Sequence, residues 1–305
     1  MYKKTTIFGA GIAGLLAANT FQKAEIYDSG NESQVQHKAL LRFRTSEVGD
    51  SVGIDFKKVK VHKGVWIDSD YVSPNIRLAN MYSRKVIGKV HDRSIWNVDS
   101  VYRYIAPENF VSELADRCKD RIVWGHAVTK KDFVCEGVKI STIPLSVTHK
   151  ILCDIDLPVS DVIFKNAPIT VKRYRIKDCD VFQTVYFPSP ETSVYRASIT
   201  KDLLIVESIG ESLQNLYDVL EAFGLNGNDI KDIDSTKQGF GKIYEVDDVW
   251  RKNFIYKLSL KHDVFSLGRF GTWRNILLDD VLKDVGVIKK LMSSSNYDRK
   301  HYQSR

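Results

Sequence analysis

The sequence of 305 residues lacks several features that would each assign it to a class of protein. Its four cysteines, Cys118, Cys135, Cys153 and Cys179, form no C-x-x-C pair, which argues against a zinc site or a disulfide framework and favours reduced, mostly buried thiols. No stretch approaches the roughly 18 apolar residues of a membrane-spanning helix. No Ser-His-Asp set and no cluster of metal ligands is recognisable. We therefore expect a globular, cytoplasmic protein without a membrane partner.

The composition supports that expectation and indicates the charge of a partner. Hydrophobic residues make up 43% of the chain and charged residues 27%, as in globular domains. Lysine and arginine number 45 against 38 aspartates and glutamates, a net charge of +7. This excess favours an anionic partner such as a nucleotide, a sugar nucleotide, a nucleic acid or a phosphate-bearing cofactor.

The order of segments predicts an α/β fold class with an inserted antiparallel β-sheet. Strands are predicted at Thr5–Phe8, Ala24–Asp28, Val138–Ile143 and Val264–Gly268, and helices at Ile12–Lys23, Pro107–Lys119, Leu213–Phe223 and Ile276–Met292. The inserted strands are predicted at Ile169–Arg175, Val181–Phe187, Ser193–Thr200 and Leu203–Ser208. Arg121–Val134 is predicted to form a strand, a turn and a strand, and Gly239–Gly241 a loop.

The segment Gly9-Ala10-Gly11-Ile12-Ala13-Gly14 is a G-x-G-x-x-G motif between a predicted strand and a predicted helix. The first glycine permits a tight turn, the second lets a pyrophosphate approach the backbone, and the third lets the helix pack closely on the strand. The helix N-terminus offers N–H groups to the diphosphate. Asp28 follows Gly9 by 19 residues, near the spacing of an acid that binds ribose hydroxyls. These residues predict a dinucleotide site.

A second glycine-containing junction, Gly268-Arg269-Phe270-Gly271-Thr272-Trp273-Arg274-Asn275, precedes the last predicted helix. With GAGIAGLLAA, Asp28 and Ser141-Thr142-Ile143-Pro144, it resembles the flavoproteins of the glutathione-reductase-like class, nearest the UDP-galactopyranose mutase and flavin amine oxidase branch. The resemblance implies FAD, bound by a Rossmann-like FAD-binding domain of residues 1–40, 105–158 and 260–292. Residues 41–104 and 159–259 would form the substrate or cap domain, and 293–305 a tail.

The resemblance also implies which residues contact the cofactor. Besides Gly9, Gly11, Ile12, Ala13, Gly14 and Asp28, they are Arg42, Val128, Thr142, Gly268, Arg269, Thr272, Trp273 and Asn275. Backbone N–H groups near Thr272–Asn275 would stabilise negative charge on the reduced ring, and Val128 would lie in a hairpin near the adenine. Arg42 has an alternative as an outward-facing strand arginine, because the R-x-G-G form of the family is missing here.

The candidate substrate contacts are Arg44, Tyr186, Tyr195, Arg196 and Trp273, in a site expected between the inserted sheet and the flavin. Tyr195-Arg196 resembles mutase positions that meet a nucleotide diphosphate, and arginine binds phosphate bidentately. The alternative is ordinary aromatic and charged residues on a half-exposed sheet. Trp66–Arg103 interleaves aromatic and arginine side chains, which suits stacking on a base or a cap that only packs.

The resemblance implies an FAD-dependent oxidoreductase that takes a hydride onto flavin N5 from a carbon bearing an amine or an alcohol in an anionic substrate. Oxygen or another acceptor would reoxidise the flavin, and no protein residue is assigned as catalytic. Three alternatives remain open: a mutase-like non-redox flavoenzyme on a sugar nucleotide, a flavoenzyme that modifies a nucleic-acid base as in phage thymine modification, and a non-enzymatic nucleotide-binding module.

Overall fold

A computed structural model describes residues 4–32, 41–91, 94–152, 162–177, 179–210 and 216–294. Cys153, Arg93, the first residues of the predicted helix Leu213–Phe223 and most of the predicted tail lie outside these ranges. Among the described cysteines, Cys118 is buried, Cys179 is half-buried and Cys135 is exposed, and all three are free thiols. No helix of these ranges combines the length and the apolar character needed to cross a membrane.

Helices and strands alternate along most of the chain. The strands are β1 Thr5–Phe8, β2 Glu25–Tyr27, β3 Arg42–Phe43, β4 Lys57–Ile67, β5 Asp70–Tyr71, β6 Val101–Ile105, β7 Ile122–Val123, β8 Val138–Ser141, β9 Asn166–Ile176, β10 Phe182–Tyr186, β11 Val194–Thr200, β12 Leu203–Ile209, β13 Ile230–Ile243 and β14 Val264–Ser266. The helices are α1 Ile12–Thr20, α2 Glu47–Val52, α3 Ile76–Ile87, α4 Phe110–Asp116, α5 Lys130–Val134, α6 Leu145–Ile151, α7 Leu216–Ala222, α8 Asp248–His262, α9 Gly268–Gly271 and α10 Leu278–Met292.

The chain divides into two compact units, each built from separate stretches of sequence. The first unit comprises Met1–Lys57, Tyr104–Phe164 and Glu245–Arg305, and the second comprises Lys58–Arg103 and Lys165–Tyr244. Residues 41–57 and 245–259, which the sequence placed in the cap, belong to the first unit.

The first unit contains a parallel sheet of five strands in the order β14-β8-β1-β2-β7. The central strand β1 ends in Ile7 and Phe8, which are fully buried. Leu15, Ala17 and Ala18 of α1 are buried in the same core, because small side chains let this helix lie close to the sheet. The sheet therefore brings the C-terminal end of β1 beside those of β2, β8 and β14.

The second unit contains a sheet in the order β13-β9-β12-β11-β10-β4. The pairs from β13 to β10 are antiparallel, as predicted for the inserted strands. β4, which the sequence did not predict as a strand, joins the same sheet in parallel with β10. A parallel pair needs a long crossover, and the long stretch between these strands, which includes α3, supplies one.

Two local predictions are wrong. Arg121–Val134 is not a hairpin, because Thr129 and Asp132 form a capping box that starts α5 at Lys130. The Asp132 carboxylate accepts the Thr129 N–H at 2.7 Å. Gly239–Gly241 is not a loop but part of β13, where a Cβ on Gly241 would lie 2.3 Å from the Ile169 side chain. The glycine there lets two strands approach.

Candidate cofactor site

The three motif glycines each occupy the position that the sequence predicted. Gly9 has a φ of +100°, in the region that favours glycine, and a Cβ there would lie 2.4 Å from Thr142 Oγ1. A Cβ on Gly14 would lie 1.9 Å from the Gly9 carbonyl oxygen, so only glycine lets α1 approach the turn this closely. A Cβ on Gly11 would instead meet no atom within 4 Å. The chain thus leaves open space at the one glycine predicted to face a ligand.

The N-terminus of α1 faces the same turn. Ile12 and Ala13 form its first turn, and no side chain caps it. The first residues of any helix have backbone N–H groups without helical acceptors, and the helix dipole adds partial positive charge there. These groups and the space at Gly11 fit a diphosphate, as the dinucleotide-binding fold requires.

Asp28 directly follows β2 and lies beside the glycine turn. Its carboxylate oxygens accept hydrogen bonds from the Ala10 N–H at 2.6 Å and the Gly30 N–H at 2.7 Å. Each carboxylate oxygen has more than one acceptor site, so Asp28 can hold the turn and still accept a ribose hydroxyl. Its contact with ribose stays a prediction.

We expect Asp28→Ala to weaken FAD affinity by about 1–3 kcal/mol. This is the free energy of a hydrogen bond to a charged group, and also the cost of leaving a backbone N–H donor without its acceptor. Glu25→Ala is the matched control, because Glu25 lies on the strand just before Asp28 and pairs with Lys4 instead. Fluorescence titration of the apoprotein with FAD measures both. Equal affinities of the two variants would show that Asp28 has no role in binding.

The C-terminal glycine segment lies against the N-terminal motif. Gly268 has a φ of +79°, and a Cβ there would lie 2.8 Å from the Ala13 Cβ. A Cβ on Gly271 would lie 2.5 Å from the Ser141 carbonyl oxygen. Thr142, at the end of β8, donates its hydroxyl to the Phe8 carbonyl at 2.8 Å. The structure therefore gathers three segments that the sequence predicted to share one site.

The remaining residues of the C-terminal junction differ in their burial and in their contacts. Thr272 is buried and donates its hydroxyl to the Gly268 carbonyl at 2.7 Å. Trp273 has a φ of +51°, unusual for a bulky residue, and is 2% exposed, with its ring edge-on to Phe164 at 5.0 Å. Arg269 packs over the Phe270 ring, whereas Asn275 is exposed. Trp273 therefore supports the junction from within, and its predicted contacts with flavin and substrate stay predictions.

Three other predicted residues come from further segments of the first unit. Arg42 is half-buried in β3, paired with β6. Arg44 is exposed and donates to Asp280 at 2.7 Å, while its backbone N–H donates to Asp279 at 2.8 Å. Val128 lies in the irregular segment before α5, not in the hairpin that the resemblance implied. Their roles in binding stay predictions.

Two of the predicted substrate residues of the second unit, Tyr195 and Arg196, belong to a polar network around Glu207. Tyr195 is fully buried and donates its hydroxyl to Glu207 at 3.0 Å. Arg196 binds both carboxylate oxygens of Glu207, one of them at 2.8 Å. Burial alone would raise the pKa of Glu207, but the guanidinium outweighs it and the pKa lies below its ordinary value. Tyr186 packs in the same unit, its ring edge-on to Tyr82. This network gives Tyr195 and Arg196 a structural role, and their predicted contacts with substrate stay predictions.

The arginine-rich segment of the second unit mixes buried and exposed rings. Trp66 is buried and packs edge-on against Tyr71. Trp96 and Tyr102 are exposed, as are Arg77 and Arg84. Exposed rings near arginines are compatible with base stacking. Binding of nucleic acid stays a prediction.

Lys85 has a role in the second unit that no sequence pattern indicated. Its ammonium donates to the carbonyls of Phe187, Ser189 and Val194 at 2.5–2.8 Å. Burial lowers the pKa of Lys85 to about 7, while three acceptors favour the form with three N–H donors. Lys85 thus joins α3 to the turn between β10 and β11. In sequence it resembles any half-exposed helical lysine.

No known protein family and no curated protein matches this sequence. The fold, however, is similar to those of several solved structures. A reduced UDP-galactopyranose mutase aligns with a TM-score of 0.66 and 12% identity over 96% of this chain and 94% of that one. A CLA-producing fatty acid isomerase from P. acnes aligns with a TM-score of 0.61 and 12% identity, over 94% and 98%.

A third structure, PqsL of Pseudomonas aeruginosa, described as a probable FAD-dependent monooxygenase, aligns with a TM-score of 0.51 and 10% identity, over 100% and 91% of the two chains. The chain thus has the mixed α/β fold of FAD-binding flavoproteins, which confirms the predicted fold class. Identities of 10–12% establish the fold alone, so the branch within these flavoproteins stays a prediction.

Proposed function

We propose that the protein is an FAD-dependent oxidoreductase that removes a hydride from a carbon bearing an amine or an alcohol in an anionic substrate. The observation that carries the cofactor assignment is the open space at Gly11 beside the uncapped N-terminus of α1. The flavoprotein fold supports it independently. FAD supplies a hydride acceptor when it is bound.

The chain contributes position and electrostatics to this reaction. Gly11 and the first turn of α1 would hold the diphosphate, and Asp28 would hold the adenosine ribose. The backbone at Thr272 would face the flavin, as the resemblance implies. Flavin chemistry of this type needs no nucleophilic side chain, since the protein supplies binding and orientation.

The visible spectrum of the purified protein tests the cofactor. We expect a yellow protein with flavin absorbance, and FAD in the supernatant after heat denaturation, identified by mass spectrometry. A colourless preparation that takes up no added FAD would reject the proposal. A protein that binds FAD, but whose flavin no amine, alcohol or chemical reductant reduces, would favour the non-enzymatic module.

A mutase-like enzyme acting on a sugar nucleotide without net oxidation is the second candidate. It is favoured by the TM-score of 0.66 with reduced UDP-galactopyranose mutase over almost the whole of both chains. Binding of UDP-galactose by the reduced and the oxidised protein distinguishes the two candidates. Tighter binding to the reduced form would support the mutase-like activity, and equal or absent binding would oppose it.

A further inference from the structure

A cleft of about 430 Å³ lies within the first unit, between α8 and α10 and beside β14. This volume falls in the range of small-molecule sites. The glycines of the cofactor site do not line it, although Thr272 does. The cleft is therefore a separate candidate site that shares one residue with the C-terminal junction.

One end of the cleft is polar. Asp248, Arg251 and Lys252 line it from the start of α8, and Ser266 lines it from the end of β14. Thr272 and Arg274, between α9 and α10, and Asp284 of α10 complete it. Asp248 forms ion pairs with Arg251 and Lys252, and Asp284 forms one with Arg274. Three cationic side chains therefore share two carboxylates, which leaves one excess positive charge. Burial raises the pKa of Asp284, although Arg274 opposes that shift. This end suits a monoanion.

Two observations describe the polar groups at this end: hydrogen bonds from two arginines to Thr272, and a buried serine hydroxyl. Arg251 donates to the Thr272 carbonyl at 3.3 Å, and Arg274 Nε donates to the Thr272 hydroxyl at 3.2 Å. Ser266 is 9% exposed, and its buried Oγ has no hydrogen-bond partner among the described residues. An unpaired buried hydroxyl costs free energy, so a ligand that bonds to Ser266 gains from satisfying it.

The rest of the lining is mostly apolar, apart from the hydroxyl-bearing side chains of Tyr256 and Ser259 on α8. Ile255 comes from the next turn of α8, Val264 from the start of β14, and Val287, Ile288 and Leu291 from successive turns of α10. From Asp284 to Leu291 a helix rises about 10 Å. An extended eight-carbon chain has a similar length.

We propose that this cleft binds a medium-chain monocarboxylate, with the carboxylate at Ser266 and Arg274 and the hydrocarbon chain between α8 and α10. Charge complementarity selects the acid over the amine, and apolar surface on both helices selects a hydrocarbon tail over a small polar anion. The site needs no bound FAD, so it stands or falls independently of the proposed function.

Isothermal titration calorimetry of the full-length chain with octanoate tests the site. We expect saturable binding of one octanoate, and affinity at least tenfold lower for octylamine and for acetate. Equal affinity for octanoate and octylamine would overturn the assignment to an acid. Absence of octanoate binding would overturn the site itself.

Two variants locate the binding. Val287→Trp fills the apolar end and is expected to lower octanoate affinity at least tenfold, whereas Val249→Trp, on an exposed position of α8 that does not line the cleft, leaves it unchanged. Ser266→Ala removes a hydroxyl without a partner among the described residues, so the fold is retained and affinity falls about threefold to tenfold. Unchanged affinity in both Val287→Trp and Ser266→Ala would place octanoate elsewhere and overturn the proposal.

Discussion

Gly11→Val is expected to abolish FAD binding while the protein stays folded. The new side chain would extend into the open space at this position, where we place the diphosphate. Gly11 has extended backbone angles that valine adopts without strain. Affinity should fall at least about 100-fold, which is about 2.8 kcal/mol. The free energy of unfolding of the apoprotein should change by no more than about 0.5 kcal/mol.

Two other glycines serve as controls for this result. Gly286 lies in α10, where an added Cβ would meet no atom within 4 Å, so Gly286→Val should leave FAD affinity unchanged. Gly14→Ala would force a methyl group against the Gly9 carbonyl, and we expect it to cost about 1–3 kcal/mol of stability. Equilibrium dialysis with FAD and urea unfolding separate the two effects. FAD content equal to wild type in Gly11→Val would refute our placement of the diphosphate.

Glu207→Leu is expected to destabilise the second unit by about 3 kcal/mol, the low end of the cost of a broken buried ion pair. The substitution leaves the Tyr195 hydroxyl buried without its acceptor and Arg196 without its carboxylate. The cost stays at the low end because the Arg196 side chain is 40% exposed and keeps contact with water. Urea unfolding followed by tyrosine and tryptophan fluorescence measures the change.

The pair partner provides the matched variant. Arg196→Met leaves the buried Glu207 carboxylate with the Tyr195 hydroxyl but without its guanidinium partner, and we expect it to cost about as much as Glu207→Leu. The double variant should be more stable than the sum of the single changes predicts, by about 0.5–3 kcal/mol. Additive effects would show that the contact contributes nothing to stability.

The same pair gives a dependence on pH. Because the folded-state pKa of Glu207 lies below its ordinary value, the folded protein binds fewer protons than the unfolded chain in acid. The contribution of Glu207 to stability is therefore complete above the ordinary carboxyl pKa and is lost as the pH falls through the folded-state pKa.

The sequence predicted the glycine turn well because each constraint there is local. Gly9 requires a positive φ, and Gly14 requires the absence of a side chain. The spacing of the three glycines in the G-x-G-x-x-G motif indicates both requirements. The apolar strand and the small-residue helix on either side follow from periodicity. The C-terminal junction was recognisable for the same reason, since Gly268 and Gly271 both permit close approach.

The sequence did not predict features that depend on distant partners. Nothing local to β4 indicates that it pairs in parallel with β10. Tyr195-Arg196 resembled a ligand-binding pair, but the acceptor that holds both side chains, Glu207, lies on the next strand. Strand pairing decides which polar side chains meet, and a single sequence contains no record of that pairing.

The contact of Gly268 with Ala13 has a consequence for how the protein is made. The glycine turn leaves the ribosome before its counterpart at Gly268, which follows some 250 residues later. At about 5–20 residues per second, the interval is roughly 13–50 s. During that time the nascent chain contains the glycine turn without the segment that packs against it, so we expect cofactor loading to wait until the C-terminal junction has been synthesised.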